Sequence, residues 1–196
     1  MRTSNKIQGF TLIELMIVVA FIAILLLLAT PSIRVYLENS KVRNVAESIA
    51  AGMQKARAHA INRGMPTEIF INTNAAAGFW TINELDTTTT PPAPTLVETF
   101  TWGPNGHNWG SIQINNVALV DSSANATPRV TFNSIGRIMS SNLLAPTSPL
   151  LRLDVGRTPA MNGVLPLRVE AGAARGIRVC APHLDGRTPP DPKACS

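Results

Sequence analysis

The sequence predicts an α+β fold, with one long N-terminal α-helix packed on a small antiparallel β-sheet domain. Three observations carry that expectation. From Phe10 to Ile33 the chain is apolar for 24 residues and holds one ionisable side chain, Glu14. After that run, Val42, Val45, Ile49, Met53, Ala56 and Ala60 recur at three- and four-residue steps, the stripe of an amphipathic helix. Beyond residue 63 come short β-prone segments separated by turn signals, with no second long helix.

Composition bounds the alternatives. The 196 residues fit one domain with a short appendage. Charged residues make up 15% and hydrophobic ones 45%, which argues against a disordered chain. Two cysteines exclude a disulfide-dense mini-protein and a four-cysteine zinc site. The net charge of +5 is unevenly spread, because residues 129–196 carry nine basic against four acidic side chains.

The first nine residues, MRTSNKIQG, carry Arg2 and Lys6. Basic residues before an apolar helix favour a cytoplasmic N-terminus. A secretory signal would place its small-residue cleavage site after the apolar run. Here the small residue, Gly9, precedes it, so a cut after Gly9 leaves the helix on the mature chain.

Residues 10–33 form the apolar half of the helix. A helix of that length rises about 36 Å, enough to cross a hydrocarbon core of about 30 Å. Glu14 is costly there, at roughly 2.5–3.5 kcal/mol on insertion scales, and calls for a partner. No Lys, Arg or His lies between Phe10 and Ile33. A cut before Phe10 would create an α-amine four residues away, protonated at neutral pH. That amine can answer Glu14 within one subunit or between subunits, where a buried ion pair sets register. A Glu14 that reaches water at the headgroups is the plainer alternative.

Residues 34–63 continue the helix as its amphipathic half. Pro31 removes one helical hydrogen bond and can kink the helix between the halves. Arg63-Gly64-Met65-Pro66 is a stop, with Gly as cap and Pro beyond. Residues 64–196 read as the β-rich body. Strands are expected at 68–72, 79–83, 96–102, 111–114, 117–120, 129–132, 150–155, 165–169 and 176–180. Asp86 to Pro94, DTTTTPPAP, is expected as an exposed connection, since its prolines cannot join a central strand. Asn125-Ala-Thr127 matches a glycosylation sequon and is read as chance.

KIQGFTLIELMIVVAFIAILLLLATP resembles the class III leader and first helix of type IV pilins and pseudopilins. Gly9 before the cut, Phe10 after it, Glu14 four residues on, and Pro31 carry the likeness. The resemblance implies a pilin-like fold, a leader at 1–9 and cleavage between Gly9 and Phe10 by a prepilin peptidase that also methylates Phe10. It implies a single-pass inner-membrane protein, N-terminus in the cytoplasm and body in the periplasm, that packs with other major and minor pilins or pseudopilins through this helix. Glu14 would act in recruitment and register.

The helix ending MQKARAHAINRG, the segment Val130 to Arg137 and the closing strand Arg175 to Cys180 resemble the GspH/FimT branch. That branch wraps two small sheets on the helix. It includes FimU-like minor pilins of type IV pili and the pseudopilin of type II secretion, and the first helix does not distinguish them. A minor pilin that primes or caps a pilus is the leading expectation. A disulfide between Cys180 and Cys195 is expected in an oxidising compartment. It would staple a 14-residue loop that holds four prolines and one glycine, for about 3 kcal/mol in the chain-entropy model. Two free thiols are the alternative.

Arg175, Arg178, Arg187 and Lys193 are candidate DNA contacts at the basic end. In FimT-type pilins of transformable bacteria the C-terminal motif is Gly-Arg-x-Arg; here Arg175-Gly-Ile-Arg178 transposes its first two residues. Arg175 and Arg178 would face opposite sides of a strand unless a bulge at Gly176 brought them together. No aromatic residue lies in the tail to stack on bases. Solvated surface arginines are the plainer reading. An enzyme is not expected. His59, His107 and His183 are scattered without metal-ligand spacing, and neither a Gly-x-Ser-x-Gly elbow nor a phosphate loop is present. No cofactor or metal is implied.

Overall fold

The computed structural model describes residues 10–72, 79–101, 112–116, 128–147, 149, 151–157, 159–172, 176–186 and 191–195, and the side chains of 27–31 and 112–116 lie outside that description. One helix, α1 (Leu12–Arg63), is followed by β1 (Thr67–Asn72), β2 (Phe79–Asp86), β3 (Ala93–Thr101), β4 (Ile112–Asn116), β5 (Arg129–Phe132), β6 (Arg152–Arg157), β7 (Leu167–Gly172) and β8 (Gly176–Cys180). The strands build two antiparallel four-stranded sheets, ordered β3-β2-β1-β5 and β4-β6-β7-β8.

The helix begins two residues later than expected, because Thr11 caps it through its hydroxyl, which accepts from the Glu14 amide at 3.3 Å. It runs unbroken through Pro31. It ends where Gly64 adopts the left-handed conformation, φ 68°, that a C-cap requires.

The amphipathic half meets both sheets. Val42, Val45, Ile49, Met53, Ala56 and Ala60 are all buried, as the stripe predicts, and Ala46 and Ala50 join them. The facing sheets alternate. Ile69, Ile71, Trp80, Ile82, Val130 and Phe132 point inward from the first sheet, and Leu153, Val155, Val169 and Ala171 from the second. Full burial of one such aliphatic or aromatic side chain contributes about 1.5–3 kcal/mol. Small residues on the stripe let the sheets approach. At Gly52 an added Cβ would lie 2.9 Å from Trp80 Cε2, so the indole packs directly on the helix backbone.

The helix is also tied to the second sheet by polar contacts near its midpoint. Asn39 Nδ2 donates to the Gly163 carbonyl at 2.9 Å, and Leu165 N donates to Asn39 Oδ1 at 3.1 Å. The preceding residue, Glu38, receives Lys41 at 2.8 Å and lies 3.3 Å from Arg157 Nε.

One expectation needs correction, and one alternative left open by the sequence is decided. The segment expected as one connection from Asp86 to Pro94 ends sooner, because Ala93 and Pro94 already belong to β3 and pair with Asp86 and Leu85. β3 is an edge strand, where proline's missing N–H costs no ladder bond. The β7–β8 ladder runs in register from Arg168↔Cys180 to Gly172↔Gly176, with no bulge at Gly176. The expected strand at 117–120, the sequon at Asn125, Trp102, Trp109 and the 1–9 leader lie outside the described residues.

Candidate functional site

The most unusual surface is the first half of α1. Phe10, Leu12, Ile13, Leu15, Met16 and Phe21 are each more than 60% exposed. A helix apolar on every side is stable only where lipid or other helices cover it. Among the described residues no helix is long and apolar enough to cross a membrane. The described side chains of the run stop at Leu26, and the sequence carries it on through Leu27, Leu28 and Ala29.

Glu14 sits in the first turn of this helix, exposed, where a carboxylate complements the positive end of the helix dipole. Among the described residues it has no ion-pair partner. Phe10 is 84% exposed and immediately precedes the cap. Gly9 lies outside the described residues. The backbone of Pro31 is helical.

At the other end of the chain, Cys180 and Cys195 form a disulfide, with Cα atoms 5.2 Å apart. Both are buried. The bridge folds the tail back beside β8, where Ala181 N donates to the Lys193 carbonyl at 2.8 Å. An oxygen of Glu170 lies within 4.8 Å of both sulfurs. The sulfurs are bonded to each other and so supply no thiolate for a metal.

Of the four candidate DNA-contact residues, the structure describes Arg178 and Lys193. Arg178 lies opposite Glu170 across the β7–β8 ladder, its Nη2 donating to Glu170 Oε2 at 2.9 Å. Arg152 Nε approaches the other Glu170 oxygen at 3.5 Å. Arg168 forks onto Asp154 at 2.5 and 3.0 Å, and that bond raises its pKa. Lys193 is exposed in the disulfide loop, and Arg175 and Arg187 lie outside the described residues.

Sequence reading missed the charge ladders on the outer sheet faces. Besides the Glu170 and Asp154 sets, Glu68 on β1 is fully buried. It accepts from Arg129 Nη1 at 2.6 Å and from the Thr131 hydroxyl at 2.9 Å. The Arg129 guanidinium lies 4.5 Å from the Phe70 ring centroid. The signal available was alternation: the acid on one strand and the base on its neighbour both sit at outward positions. His59 bonds Glu84 at 2.7 Å, and Arg63 donates to the same oxygen at 3.2 Å. These two bonds, that to His59 foremost, lower the Glu84 pKa.

The family described as prokaryotic N-terminal methylation motif matches residues 4–30, and the family described as type II transport protein GspH matches residues 45–181. Over 48 residues, 24% of this chain and 30% of the relative, the sequence is 48% identical to the type IV major alpha-pilin of Moraxella bovis. Fimbrial protein Q of the same organism is also 48% identical over 48 residues, 31% of its length. The chain therefore spans less than a third of the curated relatives it matches. Two solved structures of the minor pseudopilin EpsH from the type 2 secretion system of Vibrio cholerae are similar, at TM-scores of 0.47 and 0.46 and identities of 12% and 13%. They cover 72% and 73% of this chain and 98% and 95% of those chains. With the GspH match running from the amphipathic half of α1 to the end of β8, and the methylation motif ahead of it, the chain belongs to the GspH family of pilin-like proteins.

Proposed function

We propose that the chain is a minor pilin, cut between Gly9 and Phe10 by a prepilin peptidase and methylated on Phe10. It waits in the inner membrane, body in the periplasm, and enters a type IV pilus to prime or cap assembly. The observation that carries this reading is the exposed Glu14 at the head of a helix whose first half nothing in the described chain covers. Lipid covers that helix before assembly, and neighbouring helices cover it afterwards. The new α-amine of a neighbour then answers Glu14 and fixes the axial stagger.

Mass spectrometry of the native protein tests the processing, with an N-methylated Phe10 as the expected first residue. Glu14→Ala is expected to be processed normally and incorporated poorly. Normal incorporation would remove the register role.

The match to type II transport protein GspH supports a second reading, a pseudopilin of type II secretion. Deletion of the gene, scored for pili and secretion together, separates the two. A gel shift of the wild type against a variant with Arg175, Arg178 and Arg187 changed to Gln tests DNA binding, and no retardation by the wild type at low salt rejects it.

A further inference from the structure

Among the described arginines, Arg63 and those on the strands are ion-paired, whereas Arg34, Arg43, Arg57 and Arg137 are not. Arg129, Arg152, Arg157, Arg168 and Arg178, all on β-strands, each lie against a carboxylate. Arg57 on α1 and Arg137 after β5 have no ion-pair partner among the described residues. Both are exposed, and both line one groove of about 440 Å³.

The groove lies where three elements converge: the last turns of α1, the turn after β5, and the β7–β8 hairpin. Phe132, Ile138 and Ile177 give it apolar walls, and Asn133 and Ser140 give it polar ones. Its shape depends on Gly136. At φ 74° this residue presses the turn against the helix so closely that a Cβ would meet Ile61 Cδ1 at 2.6 Å. Beside the two arginines, Ile61 and Ile135 are 50% and 65% exposed.

Unpaired guanidinium forks next to exposed aliphatic side chains suit a protein partner bearing carboxylates. β8 is the last strand of its sheet; the tail pairs just past its C-terminal end, at Ala181, and among the described residues no strand pairs with its outer edge at Ile177 beside the groove. That edge offers main-chain groups to an extended segment. A phosphate backbone would call for a longer row of unpaired cations. A second copy of this chain is disfavoured by like charge, since residues 129–196 hold nine basic and four acidic side chains.

We propose that this groove docks an extended, acid-bearing segment of a different protein. Arg57 and Arg137 hold its carboxylates, while Ile61 and Ile135 cover its aliphatic groups. The proposal does not depend on which filament the chain enters.

The test pans the full chain, held in detergent micelles, against phage-displayed random dodecapeptides, then measures the synthesised winners by fluorescence anisotropy. Winners rich in Asp and Glu are expected. Their affinity should fall with salt and drop at least about tenfold on Arg57→Gln/Arg137→Gln, with partial retention in the double Lys variant. Winners without acids overturn the proposal, as does affinity unchanged in the double Gln variant. Displacement by a short DNA duplex of equal or higher affinity overturns it in favour of nucleic acid. Self-association of the wild type that the double Gln variant abolishes overturns it in favour of a second copy.

Discussion

Asn39 and Gly163 are 124 residues apart in the chain, yet the Asn39 amide donates to the Gly163 carbonyl at 2.9 Å. The same side chain accepts from Leu165 N at 3.1 Å. One amide thus clamps the loop before β7 to the middle of α1. At Gly163 (φ 86°) an added Cβ would lie 3.1 Å from Val35 Cγ1, so loop and helix are in close contact as well as hydrogen-bonded.

Asn39→Leu removes both bonds while keeping the volume. A loss of about 1–2 kcal/mol is expected, since each exposed amide bond contributes about 0.5–1.5 kcal/mol net. Chemical denaturation of the full chain in detergent measures it, and an unchanged midpoint would show that the clamp holds nothing.

Gly52→Ala is expected to destabilise although alanine favours helices. The propensity gain is about 1 kcal/mol. Against it stands a methyl group 2.9 Å from the Trp80 ring, and overpacking of this kind costs about 1–3 kcal/mol. Trp80 also stacks on Phe100, with ring centroids 5.4 Å apart, so its ring cannot swing away freely. A lowered melting temperature with altered tryptophan fluorescence is the expected result.

Arg129→Leu should cost about 3 kcal/mol, because it strands the buried Glu68 carboxylate. The Thr131 hydroxyl and the Leu144 amide, at 2.9 and 3.4 Å, remain as its donors. Glu68→Gln/Arg129→Leu should recover part of that loss, which identifies the unpaired charge as the cause. Urea denaturation of the single and double variants supplies the comparison.

Acid should weaken the joint between the end of α1 and β2. Glu84 has a folded pKa below its ordinary value of 4.5, chiefly through its bond to His59 and then through Arg63. Its contribution to stability is therefore complete above the unfolded pKa and is lost as pH falls through the lower folded one. Stability followed from roughly pH 5 to pH 3 should fall less steeply in Glu84→Gln than in the wild type. Parallel curves would refute the linkage.

Much of this architecture was legible in the chain because it is set locally. The stripe from Val42 to Ala60 needs only helical periodicity, and Gly64 stops the helix because it accepts a positive φ. Isolation of Glu14 in apolar sequence, the cysteine pair and the short strands are equally local features. What the sequence could not give is which strand lies beside which. That order depends on long-range packing against α1, and the charge pattern follows from it. Arg178 reads as a free cation until β7 places Glu170 opposite it. Glu68 reads as a surface acid until β5 brings Arg129 and Thr131, and the backbone of 143–144 closes over them. Arg57 and Arg137, 80 positions apart in the sequence, share a groove only because the helix, β5 and the β7–β8 hairpin meet in space.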